Sequence, residues 1–164
     1  MKNLTLKNLA LACNGTYVGP KEMEDKEVTC IFTDSRKAEA GGLFVPIKGA
    51  RVDAHDFIEQ GMEKGGLAEF YLKQLQIPVV GITGSVGKTS TKEVIASVLA
   101  QKYNTLKTQG NFNNELGLPL TIFRLRDEHE MAVLEMGISD FGEMHRLAKI
   151  ARPNTCVITN IGLC

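Results

Sequence analysis

One short stretch constrains this chain more than any other: Gly84-Ser85-Val86-Gly87-Lys88-Thr89-Ser90. It follows the apolar run 77–83 and precedes Thr91–Tyr103, where Val94, Ile95, Val98 and Leu99 recur at helical spacing. Strand, glycine loop and helix in that order make a phosphate-binding turn. Glycines let backbone N–H groups turn inward, and the helix N-terminus adds partial positive charge. Lys88 can reach the outer phosphates, and the Thr89 hydroxyl suits a Mg²⁺ held between them. The common pattern G-x-x-x-x-G-K-[ST] places its first glycine where this chain has Ile82, so Gly84 and Gly87 are the working glycines. A plain glycine-rich turn with a surface lysine is the alternative, and the flanking strand and helix weigh against it.

The rest of the pattern tells which fold carries that loop. Residues 1–15 predict a short amphipathic helix with Leu4, Leu6, Leu9 and Leu11. Strands are expected at 28–32 and 43–47, and helices at 54–64, ended by Gly65-Gly66, and at 67–75. Beyond the loop come a short strand at 105–108, a helix at 116–125 and a buried strand at 131–136. Asp140-Phe141-Gly142-Glu143 reads as a capping box for a helix to Ala151, and 155–160 reads as another buried strand. Strands alternating with helices imply an α/β fold with a mostly parallel sheet and ligands beyond the carboxyl ends of its strands. Thr83–Ser90, Glu135-Met136-Gly137 and Thr159-Asn160-Ile161-Gly162 would then share one edge.

Acidic and basic residues balance at 19 each, which argues against a nucleic-acid surface. Any anion binding must be local. Cys13, Cys30, Cys156 and Cys164 form no C-x-x-C pair, so reduced thiols in a cytoplasmic protein are expected. No signal peptide or membrane span is expected.

Glu135 ends an apolar strand, where a carboxylate can hold Mg²⁺ against phosphates gripped by the loop; an ordinary strand-end glutamate is the bland alternative. Asn111, Asn113 and Asn114 either form a turn or touch a ligand. His145 reads as a helix-surface or packing residue rather than a ligand, and His129 as a solvated one, while His55 and Asp56 sit at a helix start. Thr33-Asp34-Ser35-Arg36 is a polar turn whose guanidinium can grip a carboxylate or diphosphate, and taken alone a solvated turn is the favoured reading. No Ser/His/Asp or Cys/His nucleophile set is evident.

Together these segments resemble the Mur ligases. The matching residues are Thr33-Asp34-Ser35-Arg36, Gly42-Leu43-Phe44-Val45, Asp53-Ala54-His55-Asp56-Phe57, Gly81 to Ser90, Gly110 to Pro119, Leu134-Glu135-Met136-Gly137 and Thr159-Asn160-Ile161-Gly162. The family also carries an aliphatic residue where Ile82 stands. The wording is nearest to members that add D-alanyl-D-alanine to UDP-N-acetylmuramoyl-tripeptide. Branches adding a single amino acid, a nucleotide-binding fragment without catalysis and a phosphate-loop kinase are the other readings.

The resemblance implies a small N-terminal α/β lobe for the UDP-linked substrate over 1–66, and a phosphate-loop central domain over 67–164, both incomplete. It implies ATP-dependent amide-bond formation through an acyl phosphate. Gly84, Ser85, Val86, Gly87, Lys88, Thr89 and Ser90 would bind ATP, and Thr89 and Glu135 would hold Mg²⁺. Lys88 and Glu135 would serve catalysis, and Asn113 and Asn114 would shape the nucleotide cleft. Ser35 and Arg36 would lie near the uridine nucleotide. The expected partners are the two substrates, with neither nucleic acid nor membrane, and the expected state is a monomer. Relatives are several times longer and carry several tens of residues where this sequence runs Gly65-Gly66-Leu67. The chain is therefore expected to bind nucleotide but not to ligate at a useful rate alone.

Overall fold

The computed structural model describes residues 1–32, 39–45 and 67–162. The expected helix at 54–64, the Thr33–Arg36 turn with Ser35 and Arg36, His55, Asp56 and Cys164 lie outside these residues. In chain order the elements are α1 (Leu6–Ala12), β1 (Ile31–Phe32), β2 (Leu43–Phe44), α2 (67–75) and β3 (Val79–Thr83). They continue with α3 (Lys88–Leu99), β4 (Thr105–Lys107), α4 (Gly117–Ile122), β5 (Met131–Glu135), α5 (Glu143–Ala151) and β6 (Thr155–Ile158).

The first helix is shorter than its leucine pattern suggests. The Thr5 side chain accepts from the Asn8 amide at 3.2 Å and starts α1 at Leu6. Residues before it are extended instead: Thr5 bridges Glu27, and the Val28 amide donates to the Leu4 carbonyl at 2.9 Å. Leu4 and Leu9 are buried, whereas Leu11 faces solvent. Only Ile31 and Phe32 of the expected strand at 28–32 enter a ladder, pairing in parallel with Leu43 and Phe44.

The main sheet has the order β4-β5-β3-β6 and every pair is parallel. Its alternating side chains build two layers. Val79, Leu106, Ala132 and Leu134 pack with α2, α4 and α5, while Ile82 and Val133 pack with Ala96 of α3. A three-layer α/β unit results, and its larger core also takes in Leu4, Leu9 and Val28 from the first residues of the chain.

Several boundaries differ from the sequence reading for local reasons. Gly87 takes the left-handed conformation, so α3 starts at Lys88 rather than Thr91; beyond Leu99 the backbone tightens, with the Gln101 amide on the Val98 carbonyl at 3.2 Å. Helix α4 stops at Ile122 because the amides of Arg124 and Leu125 reach back only three residues. Strand β6, expected to be buried, is largely exposed and lies at the edge of the described sheet. The capping box before α5 is half made. Glu143 Oε2 accepts from the amides of Ser139 at 2.7 Å and Asp140 at 3.3 Å, but Asp140 Oδ1 takes the Phe141 amide instead.

Tyr71 of α2 ties this helix to the end of α4. Its ring is fully buried beside Phe123, and its hydroxyl donates to the Leu125 carbonyl at 2.7 Å. That carbonyl also accepts from Arg126 Nη1 at 2.7 Å. Removing the hydroxyl therefore leaves the acceptor satisfied, whereas removing the ring opens a cavity. Tyr71→Phe should lower unfolding free energy by about 1 kcal/mol, and Tyr71→Ala by about 3–5 kcal/mol. Urea unfolding followed by circular dichroism measures both, and similar losses for the two would refute the assignment.

Candidate functional site

Strands β3 and β5 are neighbours whose outgoing loops lead to opposite faces of the sheet, β3 into α3 and β5 into α5. Adjacent strands that diverge in this way open a crevice beyond their carboxyl ends. The register pairs Ile82 with Glu135, so Gly84 and Glu135 stand on the two sides of that crevice.

The loop after β3 is braced from β6. The Ser85 amide donates to the Asn160 carbonyl at 3.0 Å, and the Ser85 hydroxyl donates to the Gly162 carbonyl at 2.8 Å. Thr159 Oγ1 donates to the Val86 carbonyl at 2.5 Å. Gly84 has φ +133°, and a Cβ there would meet the Asn160 carbonyl oxygen at 2.8 Å, so both conformation and space require glycine. Lys88 folds back over the loop, its ammonium donating to the carbonyls of Gly84 at 2.6 Å and Ser85 at 3.2 Å. No side chain caps α3, which leaves its first amides facing the loop. Thr83 Oγ1, at the base of the loop, is buried without a hydrogen-bond partner, a hydroxyl that water or a polar ligand has to satisfy.

Across the crevice, Glu135 is 1% exposed. The Thr89 hydroxyl lies 3.2 and 3.1 Å from its two carboxylate oxygens. Asn113 Nδ2 donates to Oε1 at 2.9 Å, and Lys92 Nζ lies 3.6 Å from Oε2. The Glu135 amide donates to Thr108 Oγ1 at 2.9 Å. The asparagine loop is pinned to the end of β5 by the Gly137 amide on the Asn113 carbonyl at 2.8 Å. A Cβ on Gly137 would come within 2.9 Å of the Asn113 side chain, so a larger residue there would displace the amide that meets Glu135.

The three segments expected at one edge do meet there. The asparagines divide: Asn113 reaches Glu135, while Asn114 Oδ1 accepts from the amides of Leu116 and Gly117 and sets the start of α4. Val86 and Ser90 are exposed on the loop and the first turn of α3. His145 is exposed on α5, the surface rather than the packing position of the two its pattern allowed. His129 is not simply solvated: half-buried, it accepts the Arg126 amide on Nδ1 at 2.9 Å and closes a turn. Lys92 and Thr108 were missed, and Thr159 lay in an expected edge segment without its bond to the loop being foreseen. A signal for Lys92 existed, since Thr89, Lys92 and Ala96 share the inward stripe of α3 and a lysine on such a stripe needs a partner.

Two ion pairs flank the site. Arg146 pairs with Glu115, which raises the guanidinium pKa, and Lys107 pairs with Glu93. Among the described residues no three His, Cys, Asp or Glu side chains converge as a metal cage. Thr89 and Glu135 supply hard oxygens of the kind Mg²⁺ takes alongside phosphates, and that pattern needs no protein cage. No helix among the described residues is long and apolar enough to cross a membrane.

Comparison with known proteins adds sequence and fold likeness to this geometry. Residues 82–163 match the family described as Mur ligase middle domain, and residues 27–108 match the Mur ligase family, catalytic domain. The chain is 40% identical to the UDP-N-acetylmuramoyl-tripeptide--D-alanyl-D-alanine ligase of Bacillus subtilis over 188 residues, covering 96% of this chain and 41% of that protein. That stretch exceeds the 164 residues of this chain, so the relative carries residues within it that have no counterpart here. A crystal structure of MurF from Acinetobacter baumannii superposes with a TM-score of 0.82 at 35% identity, covering 98% of this chain and 41% of that one. MurF ligase from Thermotoga maritima in complex with ADP gives 0.70 at 34% identity, covering 81% and 38%. The chain thus spans about two fifths of the length of the relatives it matches. With matched families, sequence and fold in agreement, this chain belongs to the Mur ligase family.

Proposed function

We propose that this chain forms the nucleotide-binding face of an ATP-dependent amide-bond ligase of peptidoglycan precursor synthesis, one that joins D-alanyl-D-alanine to UDP-N-acetylmuramoyl-tripeptide. The observation that carries the reading is the buried Glu135 carboxylate set against the Thr89 hydroxyl at 3.1 and 3.2 Å, beside a phosphate-type loop. The substrates are those of the Bacillus relative, and the nucleotide is suggested by the ADP of the Thermotoga structure.

In this reading Gly84–Ser90 wrap the phosphates of ATP with backbone amides, and Lys88 neutralises the outer ones. Thr89 and Glu135 would hold Mg²⁺, which when bound offsets charge on the transferring phosphoryl group. Asn113 orients Glu135, and Asn114 shapes the loop that presents it. The terminal carboxylate of the tripeptide attacks the γ-phosphorus, ADP departs, and an acyl phosphate forms. The amine of D-alanyl-D-alanine then attacks the acyl carbon, inorganic phosphate leaves with the C–O bond electrons, and the proton lost by the nitrogen ends on the departing phosphate. Residues 1–66, with Ser35 and Arg36, are assigned to the UDP-linked substrate, and residues 67–164 to ATP. The loop and the Thr89–Glu135 pair come from one copy, in keeping with a monomer, and we assign the working protein to the cytoplasm.

Lys88→Ala should weaken Mg-ADP binding by about 2 kcal/mol, roughly thirtyfold in Kd. Calorimetry measures this, and an unchanged Kd would remove Lys88 from the site. Glu135→Gln should bind ADP equally well with Mg²⁺ or with a chelator, whereas the parent should bind better with Mg²⁺. A variant that keeps the parent's metal dependence would exclude Glu135 as a ligand.

A further inference from the structure

Lys92 stands where an apolar side chain would serve packing better. It is 1% exposed, on the stripe of α3 that also buries Ala96. Methionine would fill such a place with no charge to desolvate, and replacing buried ions by apolar groups is often neutral or stabilising. The lysine is explained by its anions: Glu93 Oε1 at 3.2 Å and Glu135 Oε2 at 3.6 Å. Glu93 is shared, because Lys107 grips its other oxygen. The hydrogen bond from Lys107, then that from Lys92, holds the Glu93 carboxyl below its usual range. Lys107, Glu93, Lys92 and Glu135 thus alternate in sign and sum to zero.

We infer that Lys92 is a built-in counter-cation to Glu135, which makes divalent-metal binding at this edge depend on the phosphates of the nucleotide. This rests on the reading of Glu135 as a metal ligand. Lys92 occupies the Oε2 side and Asn113 the Oε1 side, so the Thr89-facing side is left for a cation. A bare divalent ion approaching there meets a neutralised carboxylate and the repulsion of a buried ammonium. Phosphates on the loop supply the missing negative charge.

Mn²⁺ binding to the 164-residue chain, followed by electron paramagnetic resonance with and without ADP, tests this. The parent should bind Mn²⁺ weakly alone and much more tightly with ADP. Lys92→Met should bind Mn²⁺ without ADP more tightly by about tenfold or more, so the enhancement by ADP shrinks. Lys92→Arg, which keeps the charge, should behave as the parent does. Lys92→Met with the parent's weak affinity for bare Mn²⁺ would overturn the inference. Glu135→Gln with unchanged Mn-ADP binding would instead sink the ligand reading beneath it. Should Lys92→Met fail to fold, Lys92→Met combined with Glu135→Gln decides. A folded double variant shows that Lys92 answers Glu135, and an unfolded one shows that Lys92 is needed for something else, which refutes the inference.

Discussion

The parallel pairing of β3 with β5 is the constraint from which the rest follows. Ile82 lies opposite Glu135 in that ladder. A slip of one residue would turn Glu135 from the α3 side toward the core formed with α2, α4 and α5. The register is held because Ala132 and Leu134 fill that core while Val133 meets Ile82 and Ala96 on the other face. Packing on both faces therefore fixes the direction of one carboxylate, and that direction decides what the edge can bind.

Charge balance at this point is a matter of magnitude. A buried carboxylate without a partner is penalised by several kcal/mol. A lysine a few ångströms away returns about 4 kcal/mol at an effective dielectric near 20. Hydrogen bonds from Thr89 and Asn113 fix the geometry of the carboxylate without adding charge. The network extends through Glu93 to Lys107, which lies on β4 beyond β5. Helix α3 is thereby bound to the sheet by ions as well as by Ile95 and Leu99. Electrostatics at the site and adhesion of the layer are the same interaction.

Much of this could be read from the sequence, and the reasons lie in particular residues. Gly84, Gly87 and Lys88 carry a local signal: the positive φ angles of the turn need the two glycines, and a lysine at a helix start, against the helix dipole, points to an anion. Apolar strands at 79–83 and 131–135 alternating with helices made the parallel sheet and its edge legible as well. Long-range partners were harder. Nothing local says that Thr159 closes over Val86, or that Asn113 and Asn114, two adjacent asparagines, take different work. Lys92 was overlooked because lysine on a helix is usually solvated, and only the placement of Thr89 against β5 turns that stripe inward. Element ends shifted wherever backbone bonding outvoted hydrophobic period, as at Thr5 and Gly87. The exposure of β6 depends on its place in the sheet order, which a strand pattern does not reveal.

The central claim is that Thr89 and Glu135, facing each other across the β3–β5 crevice, receive the cation that accompanies a nucleotide on the loop. Paramagnetic relaxation by Mn-ADP, read on the backbone amides of the isotope-labelled chain, tests it most directly. Broadening should be strongest at Gly87, Lys88, Thr89, Glu135 and Met136, and should fade toward α1 and the start of β4. Broadening centred elsewhere, or none at Glu135 while the loop amides are affected, would contradict the account.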